Sequence, residues 1–265
     1  MTALAVEAPR FDMGRVVTRT FGTIGRNWQV FGLLALLLGA GPQLVLSGGQ
    51  ILGGWNTATP AFGNAGALFG YIGGMLGMVL FAVAAAFLLQ AALVHGVVAD
   101  LNGRRPTFQE CLSTGMRFIL PLLGLALLMG LALMLGFILL IVPGVILGLM
   151  WIVAAPVVVV ERTGVTAAFS RSARLTKGFK GPIFGLLVVF AIVSWILSAA
   201  ILAAGWALTG GITAANVTSW PVAVLTALIG AIQSLVGSTG IASIYYELRS
   251  IKEGAGPESL ASVFD

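Results

Sequence analysis

Charge in this chain is confined to four stretches, residues 7–26, 100–117, 161–180 and 247–265, and the three runs between them carry none. At about 1.5 Å of rise per residue, roughly 20 apolar residues cross a hydrocarbon core of ~30 Å. Each uncharged run is therefore long enough to cross a bilayer twice, out and back. With 58% hydrophobic and 9% charged residues, the chain lies far from a soluble domain, in which about a quarter of residues are charged. The fold class that follows is all-α and polytopic: six transmembrane helices, with basic amphipathic helices at the cytoplasmic surface.

Residues 1–10 read as a disordered lead, 11–248 as a single six-span membrane domain, and 249–265 as a cytoplasmic tail. The spans fall at about 28–47, 67–98, 119–141, 145–160, 183–208 and 221–246. Between the first two lies a Gly, Asn and Pro-rich loop (48–66) with Trp55 as an interfacial anchor, and between the last two a small polar turn (209–220). Val142, Pro143 and Gly144 alone separate spans three and four, which predicts a tight hairpin, and Pro156 predicts a kink in span four. Gly70, Gly73, Gly74 and Gly77 have the small-residue spacing of close helix contact. The tail predicts a helical extension into water through Glu247 and Arg249, then a docking helix with Leu260, Val263 and Phe264 on one face. Because all 14 Lys and Arg residues occur in the four charged stretches, the bias of cations toward the cytoplasm predicts both termini on that side.

Three charged segments read as surface helices. In 11–26, Met13, Val17, Phe21, Ile24 and Trp28 share one side and Arg15, Arg19 and Arg26 the other. In 163–180, Val165, Ala168, Phe169, Ser172, Leu175 and Phe179 oppose Arg171, Arg174, Lys177 and Lys180. Both patterns suit a helix lying flat on a membrane, with cations toward anionic headgroups. Residues 107–118 form a weaker third, opened by the capping-box spacing of Thr107 and Glu110. Surface helix plus helical hairpin thus recurs three times, with Gly25, Gly115 and Gly178 each placed as a left-handed cap before the chain turns into lipid.

Pro156, Glu161, Ser170-Arg171-Ser172 and Leu175-Thr176-Lys177-Gly178 resemble the membrane domain that accompanies some bacterial glycerophosphoryl diester phosphodiesterases. The Tyr245–Gly254 stretch, YYELRSIKEG, followed by SVFD, is similar to stand-alone members of that group. The likeness spans most of the chain in layout and is specific in those two patches. It implies a bacterial inner-membrane protein without a catalytic barrel; no residue here matches the paired histidines and metal-binding carboxylates of that barrel.

Chemistry finds little purchase in these residues. One histidine, His95, and one cysteine, Cys111, exclude a two-histidine metal site, a cysteine cluster and an intramolecular disulfide. No catalytic residue, metal or cofactor is assigned, and nucleic acid is not expected as a partner, since the basic residues alternate with spans; membrane phospholipids are. Glu161 reads as half of a structural ion pair with Arg171, Arg174 or Arg249. Cys111 reads as an apolar filler, and Ser170 and Ser172 as packing against the headgroup layer. Uncharged spans argue against a proton-coupled pump, whose path needs ionisable groups within the membrane. Gln90, Gln233 and Ser234, with Ser238 and Thr239, are the polar side chains available to line a path or to join helices. The expectation is a non-enzymatic, lipid-associated scaffold or membrane-organising factor that engages anionic headgroups through Arg15, Arg19, Arg26, Arg171, Arg174, Lys177 and Lys180. The alternative is a transporter or flippase-like conduit for an uncharged or lipidic substrate, its cavity lined by Gln90 and Gln233.

Overall fold

A computed structural model describes residues 11–53, 65–209 and 219–254. The expected lead, the two uncharged connections with Trp55, the terminal docking helix and the SVFD patch lie wholly or mostly outside the described residues. Those described form helices and no strands. They are α1 (Met13–Arg26), α2 (Trp28–Leu34), a π-helical segment (Ala35–Ala40), α3 (Gly41–Gly53), α4 (Ala65–Leu101), α5 (Phe108–Leu139), α6 (Ile141–Trp151), α7 (Ala154–Glu161), α8 (Val165–Thr176), α9 (Lys180–Thr209) and α10 (Trp220–Glu253). Six stretches are long and apolar enough to cross a membrane: Trp28–Gly49, Leu68–Leu101, Phe108–Leu139, Ile141–Glu161, Lys180–Gly205 and Trp220–Glu253. This is an integral membrane protein.

Proline sets the breaks. Pro42 has no N–H to give the Leu38 carbonyl, and its ring crowds that oxygen, so the preceding turn widens to the π form at 35–40. Pro156 does the same to Ile152, and span four divides into α6 and α7 at Ile152–Val153. The hairpin between spans three and four turns on one residue, Leu140, in extended conformation. Gly136 and Gly144 make that turn feasible. A Cβ on Gly144 would come within 2.7 Å of the Phe137 ring, and one on Gly136 within 3.1 Å of the Gly144 backbone.

The core sits toward the charged end. Ala154–Val159 of α7, Ala91–Val94 of α4 and Ala242–Tyr245 of α10 are buried there. Helix α10 runs through the middle, touching α1, the π segment, α3, α4, α7, α8 and α9. Toward the uncharged end, α4 (69–81), α5 (127–139) and α9 (188–204) expose most of their large apolar side chains, as lipid-facing surface does.

Several expectations need correction. Gly70, Gly73 and Gly77 have nothing within 4 Å of an added Cβ; they lie on open surface. The close approach of α4 to α5 occurs nearer the charged end, where a Cβ on Gly115 would sit 2.8 Å from Leu88. Residues 108–118 are no separate surface helix, because Phe108–Leu139 runs unbroken from its Thr107–Glu110 capping box. Of the three glycines expected as left-handed caps, Gly178 alone has positive φ (+94°); Gly25 and Gly115 are helical. The end of α10 does not extend into water at Glu247 and Leu248, both fully buried, because α1 lies across it.

Candidate functional site

Two places concentrate polar groups, the charged end and a groove partway along the spans. At the charged end, α1 crosses α10 and α4 with Val16, Thr20, Thr23 and Asn27 buried beneath it. Thr20 donates its hydroxyl hydrogen to the Val16 carbonyl at 2.8 Å, so a polar side chain is dehydrated at little cost. Arg19 pairs with Glu247, whose side chain is fully buried, and Arg15 stands 3.6 Å from the same carboxylate. Arg19 also lies over the Tyr246 ring, 5.2 Å from its centre. At the far end of α1, Arg26 donates to Asp100 through Nε at 3.3 Å, and Asn27 donates to the same carboxylate at 2.7 Å. That hydrogen bond with Asp100 raises the Arg26 pKa further above its usual range.

Helix α8 is fixed by a second network. Arg171 donates from Nε to both Glu161 oxygens at 3.1 and 3.0 Å and also pairs with Glu253. Glu161 accepts from the Tyr245 hydroxyl at 2.9 Å, and Arg249 reaches Glu253 at 2.9 Å. Hydrogen bonding to Glu161 first, and then to Glu253, raises the Arg171 pKa and holds the guanidinium charged. Ser172 does not meet headgroups: it is buried and donates to the Met150 carbonyl at 2.8 Å, with the Thr176 hydroxyl 3.0 Å from the Ser172 carbonyl and within reach of the same Met150 oxygen at 3.3 Å. Met150 lies just ahead of the break at Ile152–Val153, where helical pairing of carbonyls is interrupted. Ser170 remains exposed and bonds back to Ala167.

Of the seven cations expected at headgroups, Arg15, Arg19, Arg26 and Arg171 thus pair with acids of the protein. Arg174, Lys177 and Lys180 make no ion pair among the described residues. Arg174 and Lys177 are exposed and Lys180 half-buried. Cys111 is buried and packed beside Gly96 and Phe31.

The groove has a volume of about 400 Å³ and lies between the π segment and α3 on one side and α4 and α10 on the other. Gln43, Gln90, Ser234 and Ser238 supply its polar lining and Leu38, Leu89 and Ile241 much of the apolar remainder. Gln90 precedes Asp100 by ten residues and Ser238 precedes Glu247 by nine, which at 1.5 Å per residue sets the groove about 15 Å from the charged end, near mid-membrane. Gln233 is not part of it. Its amide donates to the Ser194 carbonyl and the Ser198 hydroxyl, both at 3.0 Å, and fastens α9 to α10. Gln90 and Ser234 therefore share a cavity, whereas Gln233 joins two helices. The sequence signal for Gln43 as a lining residue was its position beside Pro42, where the helix widens.

No known protein family, curated protein or solved structure matches this chain.

Proposed function

We propose that this protein works without covalent chemistry, as a lipid-associated membrane-organising factor whose charged end meets an anionic leaflet. The observation that supports it most directly is the set of cations on and just after α8, Arg174, Lys177 and Lys180, which have no acid partner among the described residues while their neighbour Arg171 has two. Each cation near an anionic surface contributes about 1 kcal/mol, reduced by salt. On this reading the charged end is cytoplasmic, as the bias of cations predicts, and the resemblance to the phosphodiesterase-associated membrane domain extends to a bacterial inner membrane. Replacing Arg174, Lys177 and Lys180 together with Gln should lower the phosphatidylglycerol and cardiolipin that co-purify with the protein. Unchanged lipid content in a variant that still runs as a folded species overturns the proposal.

The groove favours a second reading, a conduit for an uncharged or lipidic molecule. Reconstituted vesicles that translocate a fluorescent lipid faster than protein-free ones support it; equal rates remove it.

A further inference from the structure

Four side chains in the groove have no hydrogen-bond partner among the described residues. Gln43, Gln90, Ser234 and Ser238 all line it, and no described group bonds to their side-chain atoms. Three polar side chains elsewhere on the spans do find partners: Thr226 bonds back to Val222 at 2.8 Å, Ser198 to Ser194 at 2.9 Å, and Gln233 to α9, whereas the buried Thr239 hydroxyl beside the groove has none among the described residues. Hydrocarbon offers no substitute, so polar groups gathered here need a ligand or water to complete them.

We propose that the groove is a binding site for a neutral amphiphile, one with a hydroxyl, ester or amide head and an apolar body. The head hydrogen-bonds to the Gln and Ser side chains, and the body lies along Leu38, Leu89 and Ile241. Three features define this class. No ionisable residue lines the groove, so a charged head placed this deep would lack a counter-charge. Its volume of about 400 Å³ suits a single-chain lipid or similarly sized molecule. Gln43 and Ser234 are exposed on the flank of the spans, so a ligand enters sideways from the bilayer without passing the charged end.

The π segment shapes the site. It brings Gly39 close enough to α10 that a Cβ there would lie 3.2 Å from the Ala231 backbone, while Pro42 and Gln43 line the adjoining space. The wider turns of the π segment shift the residues that follow around the helix axis, and so help to set where Gln43 stands relative to Leu38.

The site is independent of the free cations of α8, and either proposal can fail alone. The test places the protein in phosphatidylcholine nanodiscs with a monooleoylglycerol carrying a diazirine in its chain, and in parallel with a lysophosphatidylglycerol of the same chain. Photolysis should attach the neutral probe to peptides containing Leu38, Leu89 or Ile241, and excess unlabelled monooleoylglycerol should compete it away. Labelling should fall about tenfold in the triple variant Gln90→Leu, Ser234→Ala, Ser238→Ala, as expected for two to three lost hydrogen bonds in a membrane. Gln233→Leu, which touches α9 instead, should leave labelling unchanged. Equal labelling by the anionic probe, labelling that resists competition, or labelling no stronger than on the exposed part of α5 overturns the proposal. Competition on the unaltered protein decides the matter even if the triple variant does not fold.

Discussion

Helices α1 and α8 look alike in sequence and are mounted in opposite senses. Both are short, basic and amphipathic, and both border spans at the charged end. In α8 the apolar side faces the protein: Ala168 and Leu175 are buried, and Val165, Phe169 and Phe179 pack against the same core. In α1 most of the apolar side faces away, with Met13, Val17, Phe21 and the following Trp28 exposed, while Ile24 of that side packs against the core. Its inward side is the narrow stripe of Val16, Thr20, Thr23 and Asn27, flanked by arginines that reach Glu247 and Asp100. Helix α8 therefore directs surplus cations outward, whereas α1 uses its cations for attachment and leaves an apolar stripe that continues into the lipid-facing Leu33, Leu36 and Leu37. Amphipathicity defines two sides of a helix; the position of acids elsewhere in the chain decides which side turns inward.

The largest expected effect tests the attachment of α1. Glu247→Ala leaves Arg19 facing a buried cavity with no counter-charge, and breaking a buried pair in this way costs about 3–5 kcal/mol. A lower unfolding midpoint in detergent, together with new reactivity of a cysteine placed at Thr20 or Thr23, should report release of α1 from α10. If the midpoint drops and those positions stay protected, the apolar contacts of Val16 hold α1, and the two helices are attached in more similar ways. Glu161→Gln tests α8 in the same way. Arg171 keeps Glu253 in that variant, so the loss should be about 2 kcal/mol, the range of one charge-assisted hydrogen bond, and Leu175 should stay protected because its packing is apolar.

The sequence was informative where one residue type suffices. Six apolar runs and their charge-bearing ends follow from the energetics of burying charge in hydrocarbon, and the break in span four follows from the missing N–H of Pro156. Glu161 and Arg171, ten residues apart on either side of a short turn, are near enough for their pairing to be read locally. Arg19 and Glu247 are separated by 228 residues, and no periodicity in α1 indicates that a carboxylate waits on the last helix. The groove was half legible for a similar reason. Polar side chains at mid-span were visible, but whether Gln233 faced the cavity or α9 depends on the rotation of α10, which apolar patterning does not fix in a helix apolar on all sides.

A smaller effect sharpens the account of how α8 docks. Ser172→Ala removes one of two hydroxyls serving the Met150 carbonyl, and because Thr176 still reaches that oxygen the cost should be about 1 kcal/mol. Adding Thr176→Val leaves the carbonyl without either donor beside the α6–α7 break, so the double variant should lose more than the two single losses combined. Strict additivity, measured by detergent unfolding of all four proteins, would show that the two hydroxyls act independently and that α8 is held chiefly by its apolar side.

The smallest effect concerns the exposed stripe of α1. Phe21 is 58% exposed, so Phe21→Ser should change stability in detergent by no more than about 0.5 kcal/mol, as for other surface positions. In a bilayer the same ring is expected at the headgroup boundary, where a Phe-to-Ser exchange removes roughly 2 kcal/mol of apolar burial. A fluorophore at Thr18, on the exposed side of α1, should then move to a more polar environment in vesicles while detergent stability stays constant. A midpoint that falls in detergent instead would mean that protein, and not lipid, covers Phe21, and α1 and α8 would after all be mounted alike.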